Sequence, residues 1–397
     1  MPPPPTTAAP PRARSGRRAA GLLLVVVTLA TSACAGSTDP GNGGNRTATA
    51  TAADSAYAGH GPYAVGTARV TLADGGGAQL WYPAEPSAVA GRPAYVAHPA
   101  SWLPPEMAVE RALAPFDDGV TTDAYEGVPV AVPGGDGFPV VVFSHDTDGT
   151  PEQSTSLTVH LASWGFVVAA PDHQSDDLAA ALAGDTTTST ADDVVDLDAT
   201  IGYLKDADDD PTSLLSQRLD LTRVGAVGVG TGGASAVALS AENPVVGTYV
   251  ALAPAPLTSS TGTRPGLTMY GARDLVVSPA SMQQFYAGLP RPRRLVVIAG
   301  AGHAVFSDTC AAAAGGTSMV ASLAAAHGSE EVTEAATRLG DGCRSPDVAP
   351  AAARPLVLQA VTAQLRVGLG IDAHPVGLDT GLGSAVPGVS ASYYQRP

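Results

Sequence analysis

The stretch that decides the fold is residues 224–234, which read VGAVGVGTGGA. An apolar, β-branched run leads into a turn dense in glycine, and small residues that suit a helix follow. A strand that passes directly into a tight turn and a helix needs small side chains where the two elements cross. Gly228 and Gly232 meet that need, and Gly230 lies between them. The stretch therefore predicts a strand–turn–helix unit whose turn holds residue 230 above the end of the strand.

Short apolar runs alternate with helical periods on both sides of this unit. Strands are predicted at residues 65–72, 78–82, 139–144, 166–170, 223–229, 247–252, 267–270 and 295–298, and helices at 191–205, 231–242, 279–288 and 355–367. The first two strands pair antiparallel across a turn at 74–77, residues 84–136 form a long, loosely helical excursion, and Thr190 caps the first helix. Such alternation predicts an α/β fold with a mostly parallel central sheet and helices on both faces. In these sheets, ligands bind beyond the carboxyl ends of the strands.

Two candidate catalytic side chains follow later strands. Asp274 comes after the strand at 267–270, and His303 ends a glycine-rich loop after the strand at 295–298. Where a G-x-S-x-G turn presents a nucleophile, an acid and then a histidine follow it along the chain, and the acid holds the imidazole in the useful tautomer. We therefore expect Asp274 and His303 to pair beside the turn. The serine position of that turn is Gly230.

From about residue 61 to residue 369 the chain resembles the bacterial lipase and platelet-activating-factor-acetylhydrolase-like (dienelactone-hydrolase-like) branch of the α/β-hydrolases. Besides the turn and the acid, the segments that carry the resemblance are residues 61–66, 81–83, 141–145, 162–173 and 302–310. The resemblance implies the α/β-hydrolase fold, ester hydrolysis as the ancestral reaction, and a lipid or ester small molecule as ligand. It implies no cofactor and no metal.

The chain departs from this family in the loop after His145. The family has a glycine-rich loop there, and its backbone N–H groups help to form the oxyanion hole together with that of the residue after the nucleophile, here Thr231. In this chain the loop reads Asp146, Thr147 and Asp148. Two carboxylates near a developing oxyanion oppose the stabilisation that such a hole provides.

Loss of the serine and acidification of this loop together predict a catalytically impaired protein that keeps a remnant Asp274–His303 dyad and a lipid- or ester-binding pocket. The alternative is a slow ester hydrolase. It would use Thr231, or a water molecule in the space vacated at Gly230, activated by the dyad.

The same turn also matches a G-x-G-x-x-G dinucleotide fingerprint at Gly228, Gly230 and Gly233. That motif requires an acid about 20 residues further on. No acid occurs in residues 244–263, so a nucleotide site is disfavoured.

The loop acids allow a second interpretation, in which Asp146 and Asp148, with Asp172, hold a hard cation through oxygen ligands. Their spacing matches no established metal-binding loop, so we expect solvated carboxylates instead.

Residues 1–34 have the pattern of an export signal. Four arginines precede an apolar run of about twelve residues, which is shorter than the roughly 20 residues of a membrane span. The small residues before Cys34 resemble a bacterial lipoprotein processing site, although Thr31 stands where an aliphatic residue is usual. We expect lipidation at Cys34, a flexible tether at 35–58 and a hydrolase domain at 59–397, with an extracytoplasmic, membrane-anchored protein as the result. Secretion after ordinary signal cleavage is the alternative.

Charge and cysteine usage fit an exported protein that does not bind nucleic acid. Without residues 1–34 the chain has 17 basic and 37 acidic residues, whereas nucleic-acid binding needs clustered Lys and Arg. If Cys34 carries lipid, Cys310 and Cys343 remain as an even pair outside the reducing cytosol, and we expect them to form a disulfide.

Overall fold

The chain is built around a ten-stranded, mostly parallel sheet. The computed structural model describes residues 55–102, 119–184, 187, 189–257, 262–311 and 330–397. The strands are β1 Ala64–Thr71, β2 Gly77–Ala84, β3 Val96–Ala97, β4 Val120–Thr121, β5 Ala124–Glu126, β6 Phe138–Ser144, β7 Val167–Pro171, β8 Leu219–Val229, β9 Val246–Leu252, β10 Gly266–Gly271, β11 Arg293–Ile298 and β12 Ala391–Arg396. Strands β3 and β4 pair with each other, and the other ten run in the order β12-β11-β10-β9-β8-β6-β7-β2-β1-β5.

Strands β6 to β11 run parallel, whereas β2 is antiparallel to β7, β1 to β2, and β12 to β11. The α-helices among the described residues are α1 Thr155–Ser163, α2 Leu178–Ala183, α3 Thr190–Asp209, α4 Thr231–Glu242, α5 Pro279–Gly288, α6 Glu330–Leu339 and α7 Pro350–Gly368. No helix among these residues has the length and apolar character needed to cross a membrane.

Strand β6 explains why both faces of the sheet are covered. Val141 and Phe143 point into a core shared with α1 and α7, whereas Val140 and Val142 point into a second core shared with α3 and α4. Successive side chains of a strand point to opposite faces, so a strand with helices on both sides is apolar throughout. The predicted α/β fold with helices on both faces is confirmed.

The prediction was wrong in the region 84–136. Its described parts contain short 3-10 turns and the strands β3, β4 and β5 instead of α-helix, and β5 extends the main sheet beside β1. Its alanine content favoured helix, but edge pairing with β1 determines the local structure. Helix α3 is capped by Ser189, whose Oγ accepts a hydrogen bond from Asp192 N at 3.2 Å, and not by Thr190.

The folded core extends slightly further toward the N-terminus than residue 59. The Tyr57 ring is buried and packs edge-on against Trp164 at 4.9 Å between centroids. Its backbone N donates to Gln359 Oε1 at 2.6 Å. The predicted signal segment, Cys34 and the tether up to residue 54 lie outside the described residues.

The expected disulfide is present. Cys310 and Cys343 are bonded, with a Cα–Cα distance of 5.2 Å and a separation of 33 residues along the chain. The bond links the segment after His303 to the segment after α6.

We expect the Cys310→Ser/Cys343→Ser variant to lose about 3–4 kcal/mol of unfolding free energy, because the bond removes loop-closure entropy from the unfolded chain. Denaturant unfolding of the variant, of the native protein and of the reduced native protein measures this. A variant as stable as the oxidised protein would contradict a stabilising disulfide.

Candidate active site

The turn after β8 has the geometry of a nucleophile elbow. Gly230 has φ 56° and ψ −118°, a left-handed conformation that an L side chain rarely adopts. A β-carbon on Gly228 would overlap the backbone of Gly232, and one on Gly232 would overlap the backbone of Ser144 and His145. The two flanking glycines therefore allow β8, α4 and the end of β6 to approach one another closely.

The predicted acid and histidine lie side by side. His303 Nδ1 is 2.8 Å from Asp274 Oδ2, and both residues are buried. The other carboxylate oxygen of Asp274 accepts the backbone N–H groups of Val276 and Val277 at 2.9 and 2.7 Å. These bonds fix the carboxylate so that it orients the imidazole.

The space above Gly230 is filled by Asp146. A β-carbon built on Gly230 would overlap Oδ1 and Cγ of the Asp146 carboxylate. Asp146 Oδ2 lies 2.8 Å from His303 Nε2. The carboxylate therefore occupies the position of a nucleophile side chain, although it comes from the loop after β6.

The same carboxylate fills the predicted oxyanion hole. Asp146 Oδ1 accepts the backbone N–H groups of Thr147 at 2.9 Å and Thr231 at 3.0 Å. The two threonine hydroxyls bond to each other at 2.6 Å. Thr231 Oγ1 is thus paired with Thr147, while His303 Nε2 is paired with Asp146.

The loop acids are not solvated, contrary to our expectation. Asp146 and Asp148 are both buried, because each has a cationic partner: His303 for Asp146, and Arg338 of α6 for Asp148. Within the described ranges no group of three or more His, Cys, Asp or Glu side chains is arranged to hold a metal ion.

His303 is held in its charged form. Burial by itself lowers the pKa of His303, but the hydrogen bonds and charges of Asp146 and Asp274 outweigh burial and raise this pKa to about 10. Both ring nitrogens therefore carry protons at neutral pH, and each donates to a carboxylate. A protonated imidazole cannot act as a general base.

The His145 ring binds the backbone of the loop after β6. Burial, together with the charge of His173, lowers the pKa of His145 to about 3. In the neutral ring Nδ1 donates to the Asp146 carbonyl at 2.8 Å, and Nε2 accepts the His173 backbone N–H at 3.2 Å. His145 therefore fixes the backbone from which the Asp146 side chain projects.

A cavity of about 480 Å³ opens over these residues. Asp146, Gly230 and His303 line it, as do Glu334 and Arg338 from α6. The disulfide holds the segment after α6, where Asp341 Oδ2 accepts the His303 backbone N–H at 2.9 Å. Helix α6 thus contributes to the lining of the pocket, and the loop after it helps to position the histidine.

Comparison with known proteins supports the fold. A model of the family described as platelet-activating factor acetylhydrolase, isoform II, matches residues 56–220. Among many solved chains that match is a ferulic acid esterase from Streptomyces cinnamoneus, with a TM-score of 0.56 and 21% identity over 79% of this chain and 92% of that chain. The chain has the α/β-hydrolase fold. No curated protein matches the sequence.

The fold contains a second buried polar cluster, which the sequence analysis missed. Ser144 Oγ lies 2.8 Å from His173 Nε2, and His173 Nδ1 lies 2.9 Å from Asp196 Oδ2, with Asp193 nearby. Ser144 and His173 are fully buried. Both lie in segments that carry the family resemblance, and that was the available signal. The cluster joins β6 to the loop after β7.

We expect the unfolding free energy to fall as the pH rises from about 6.5 to 10. The pKa of His303 is higher in the folded state, so its stabilisation is complete below the unfolded value of about 6.5 and is lost as the pH passes the folded value. The expected loss is a few kcal/mol, measured by denaturant unfolding across this range.

Asp146→Asn is the matched variant, because it removes one charged partner of His303 and retains the shape. The loss of stability over this range should be clearly smaller in the variant. Equal losses in the two proteins would contradict the ion pair between Asp146 and His303.

Proposed function

We propose that this chain is an exported descendant of the ester-hydrolase lineage that has lost covalent ester hydrolysis and keeps its pocket for a small lipid- or ester-type ligand. One observation carries this proposal. The Asp146 carboxylate occupies both the space of the elbow side chain and the two N–H donors that would stabilise an oxyanion.

Three requirements of ester hydrolysis fail together. Gly230 offers no nucleophile, and removal of the serine of a catalytic triad costs about 10⁶-fold in kcat. The oxyanion donors are occupied, and loss of one donor costs about 10²–10³-fold. The His303 base is protonated, because the charges of Asp146 and Asp274 raise its pKa.

The alternative is slow hydrolysis by Thr231 or by water in the space above Gly230. The geometry opposes both routes. Thr231 Oγ1 bonds to Thr147. The Asp146 carboxylate occupies the space directly above Gly230, and its Oδ2 pairs with His303 Nε2, so the imidazole has no free nitrogen with which to activate water for attack on an ester.

The pocket itself supports a small ligand. Its apolar lining includes Ala181, Ala255, Pro256, Val276 and Val277. A cavity of about 480 Å³ lies within the usual range for small-molecule sites. These features suit an ester or a short acyl chain.

Activity on short-chain p-nitrophenyl esters tests the loss of hydrolysis. We expect no turnover above buffer by the native protein, and none by Gly230→Ser alone, because the new β-carbon would overlap Asp146. We expect Asp146→Gly/Gly230→Ser to exceed both by about 100-fold or more, since it frees the amide donors as well as restoring a hydroxyl.

The matched control is Asp148→Asn/Gly230→Ser, which changes the neighbouring acid but leaves Asp146 in place and should remain inactive. Melting temperatures establish that each variant is folded. Native turnover that His303→Ala abolishes would overturn the proposal.

Export and anchoring rest on the sequence pattern at Cys34 and on the disulfide, a bond that persists in oxidising compartments. In a bacterial host that processes lipoproteins, we expect the native chain in the membrane fraction and Cys34→Ser outside it. Cys343→Ser is the control for loss of a cysteine and should remain membrane-bound. A native chain that carries no lipid on Cys34 would contradict membrane anchoring and favour secretion after ordinary signal cleavage.

A further inference from the structure

The two oxygens of the Asp146 carboxylate have different surroundings. Oδ1 accepts two backbone N–H groups, from Thr147 and Thr231, whereas Oδ2 contacts His303 Nε2 at 2.8 Å. Asp146 also lines the cavity of about 480 Å³ described above. A carboxylate that forms an ester through one oxygen needs its other oxygen, the future carbonyl oxygen, to be held by hydrogen-bond donors. Asp146 is held in this way.

We propose that Asp146 is a nucleophile toward saturated carbon, and that the pocket hydrolyses small alkyl halides through an alkyl ester of Asp146. The reason is the position of this carboxylate, which contacts two amide donors and the His303 imidazole and also faces the cavity. The proposal goes beyond the loss of ester hydrolysis, and each of the two can fail without the other.

In the first step, Oδ2 attacks the carbon that bears the halogen. The Oδ2–carbon bond forms, the carbon–halogen bond breaks, and its electron pair leaves with the halide. A carboxylate oxygen has two lone-pair sites, so Oδ2 keeps one for attack while it accepts the His303 hydrogen bond. Asp146 changes from an anion to a neutral ester.

The position of His303 selects the leaving group. In an in-line displacement the leaving group departs from the face of the carbon opposite Oδ2, whereas the imidazolium lies beside Oδ2. An alkoxide would need a proton donor on that opposite face. A halide needs none. The apolar lining of the cavity suits a short alkyl chain.

Saturated carbon is a better target than an ester carbonyl. Attack on a carbonyl would create an oxyanion on the substrate, but Asp146 Oδ1 already occupies the two N–H donors. Attack on saturated carbon creates no such oxyanion. The donors are needed only in the second step, when the negative charge develops on Oδ1 itself.

Alkylation prepares His303 for the second step. Burial lowers the pKa of His303, and the hydrogen bond and charge of Asp146 are two of the influences that raise it. When Asp146 becomes an ester these two disappear, while burial still acts, so the pKa of His303 falls and its proton is released to solvent more readily. Neutral His303 then removes a proton from water that attacks Asp146 Cγ.

The second step restores the starting state. The tetrahedral intermediate carries its negative charge on Oδ1, against the N–H groups of Thr147 and Thr231. Its collapse breaks the bond between Cγ and Oδ2, and His303 protonates the departing alkoxide. The remaining acid proton passes to His303, which regenerates the ion pair. The balance is alkyl halide plus water to alcohol, halide and one proton.

The test uses the full chain and 1-bromobutane, with bromide release followed by ion chromatography. We expect release above buffer by the native protein and release at least about 100-fold slower by Asp146→Asn. Asp210→Asn, which removes an exposed carboxylate at the end of α3, should match the native rate. His303→Gln should form the ester but hydrolyse it slowly, so a butyl group should accumulate on the peptide that contains Asp146.

Isotope labelling distinguishes a covalent role of Asp146 from a purely structural one. In a single turnover in oxygen-18 water, the label should enter the Asp146 carboxylate and not the alcohol. Absence of both bromide release and a butyl adduct in the native protein and in His303→Gln would overturn the proposal, as would an adduct of equal yield in Asp146→Asn. Ester turnover by the native protein that requires His303 would overturn the loss of ester hydrolysis. The alkyl ester is tested separately, by the mass of the peptide that contains Asp146.

Discussion

The ion pair between Asp146 and His303, formed in the space above Gly230, is the interaction on which the rest of the site depends. A carboxylate taken into a buried site is stable only if it is paired and hydrogen-bonded. Here it has an imidazolium on one oxygen and two amide donors on the other. Any residue with a β-carbon at position 230 would overlap it. The glycine at the elbow and the acid in the neighbouring loop therefore depend on each other.

The surrounding scaffold holds this pair from several directions. Asp274 binds the far nitrogen of His303, and Asp341 binds its backbone. His145 and Gln153 bind the backbone of Asp146, at 2.8 and 2.9 Å. The elements that a serine hydrolase uses to position its base thus hold a charged imidazole here. The same geometry therefore supports a protonated histidine.

The sequence predicted the fold because each element has a local pattern. Short windows of sequence contain the apolar strand before Gly230 and the helix of small residues after it. They also show Asp274 and His303 in the expected order, and the structure brings that acid and histidine together. The edge strands were harder. Strand β5 has only three residues and β12 is polar and half-exposed, so pairing with β1 and β11 determines them, rather than propensity.

The role of Asp146 was beyond the reach of sequence patterns, because it depends on two contacts with distant parts of the chain. Asp146 and His303 are 157 residues apart, and Asp146 and Thr231 are 85 apart. Local patterns predict an empty space at Gly230 and solvated carboxylates in the loop, because neither contact is visible within a short window of sequence. The two departures from the family pattern explain each other only when the loop after β6 is placed over the elbow.

Nitrogen-15 NMR of the His303 ring at neutral pH tests the ion pair most directly. We expect both ring nitrogens to be protonated and to remain so until the pH approaches about 10, because Asp146 and Asp274 each accept one of the protons against the effect of burial. A ring that loses a proton near pH 6.5, with one bare nitrogen at neutral pH, would contradict the account.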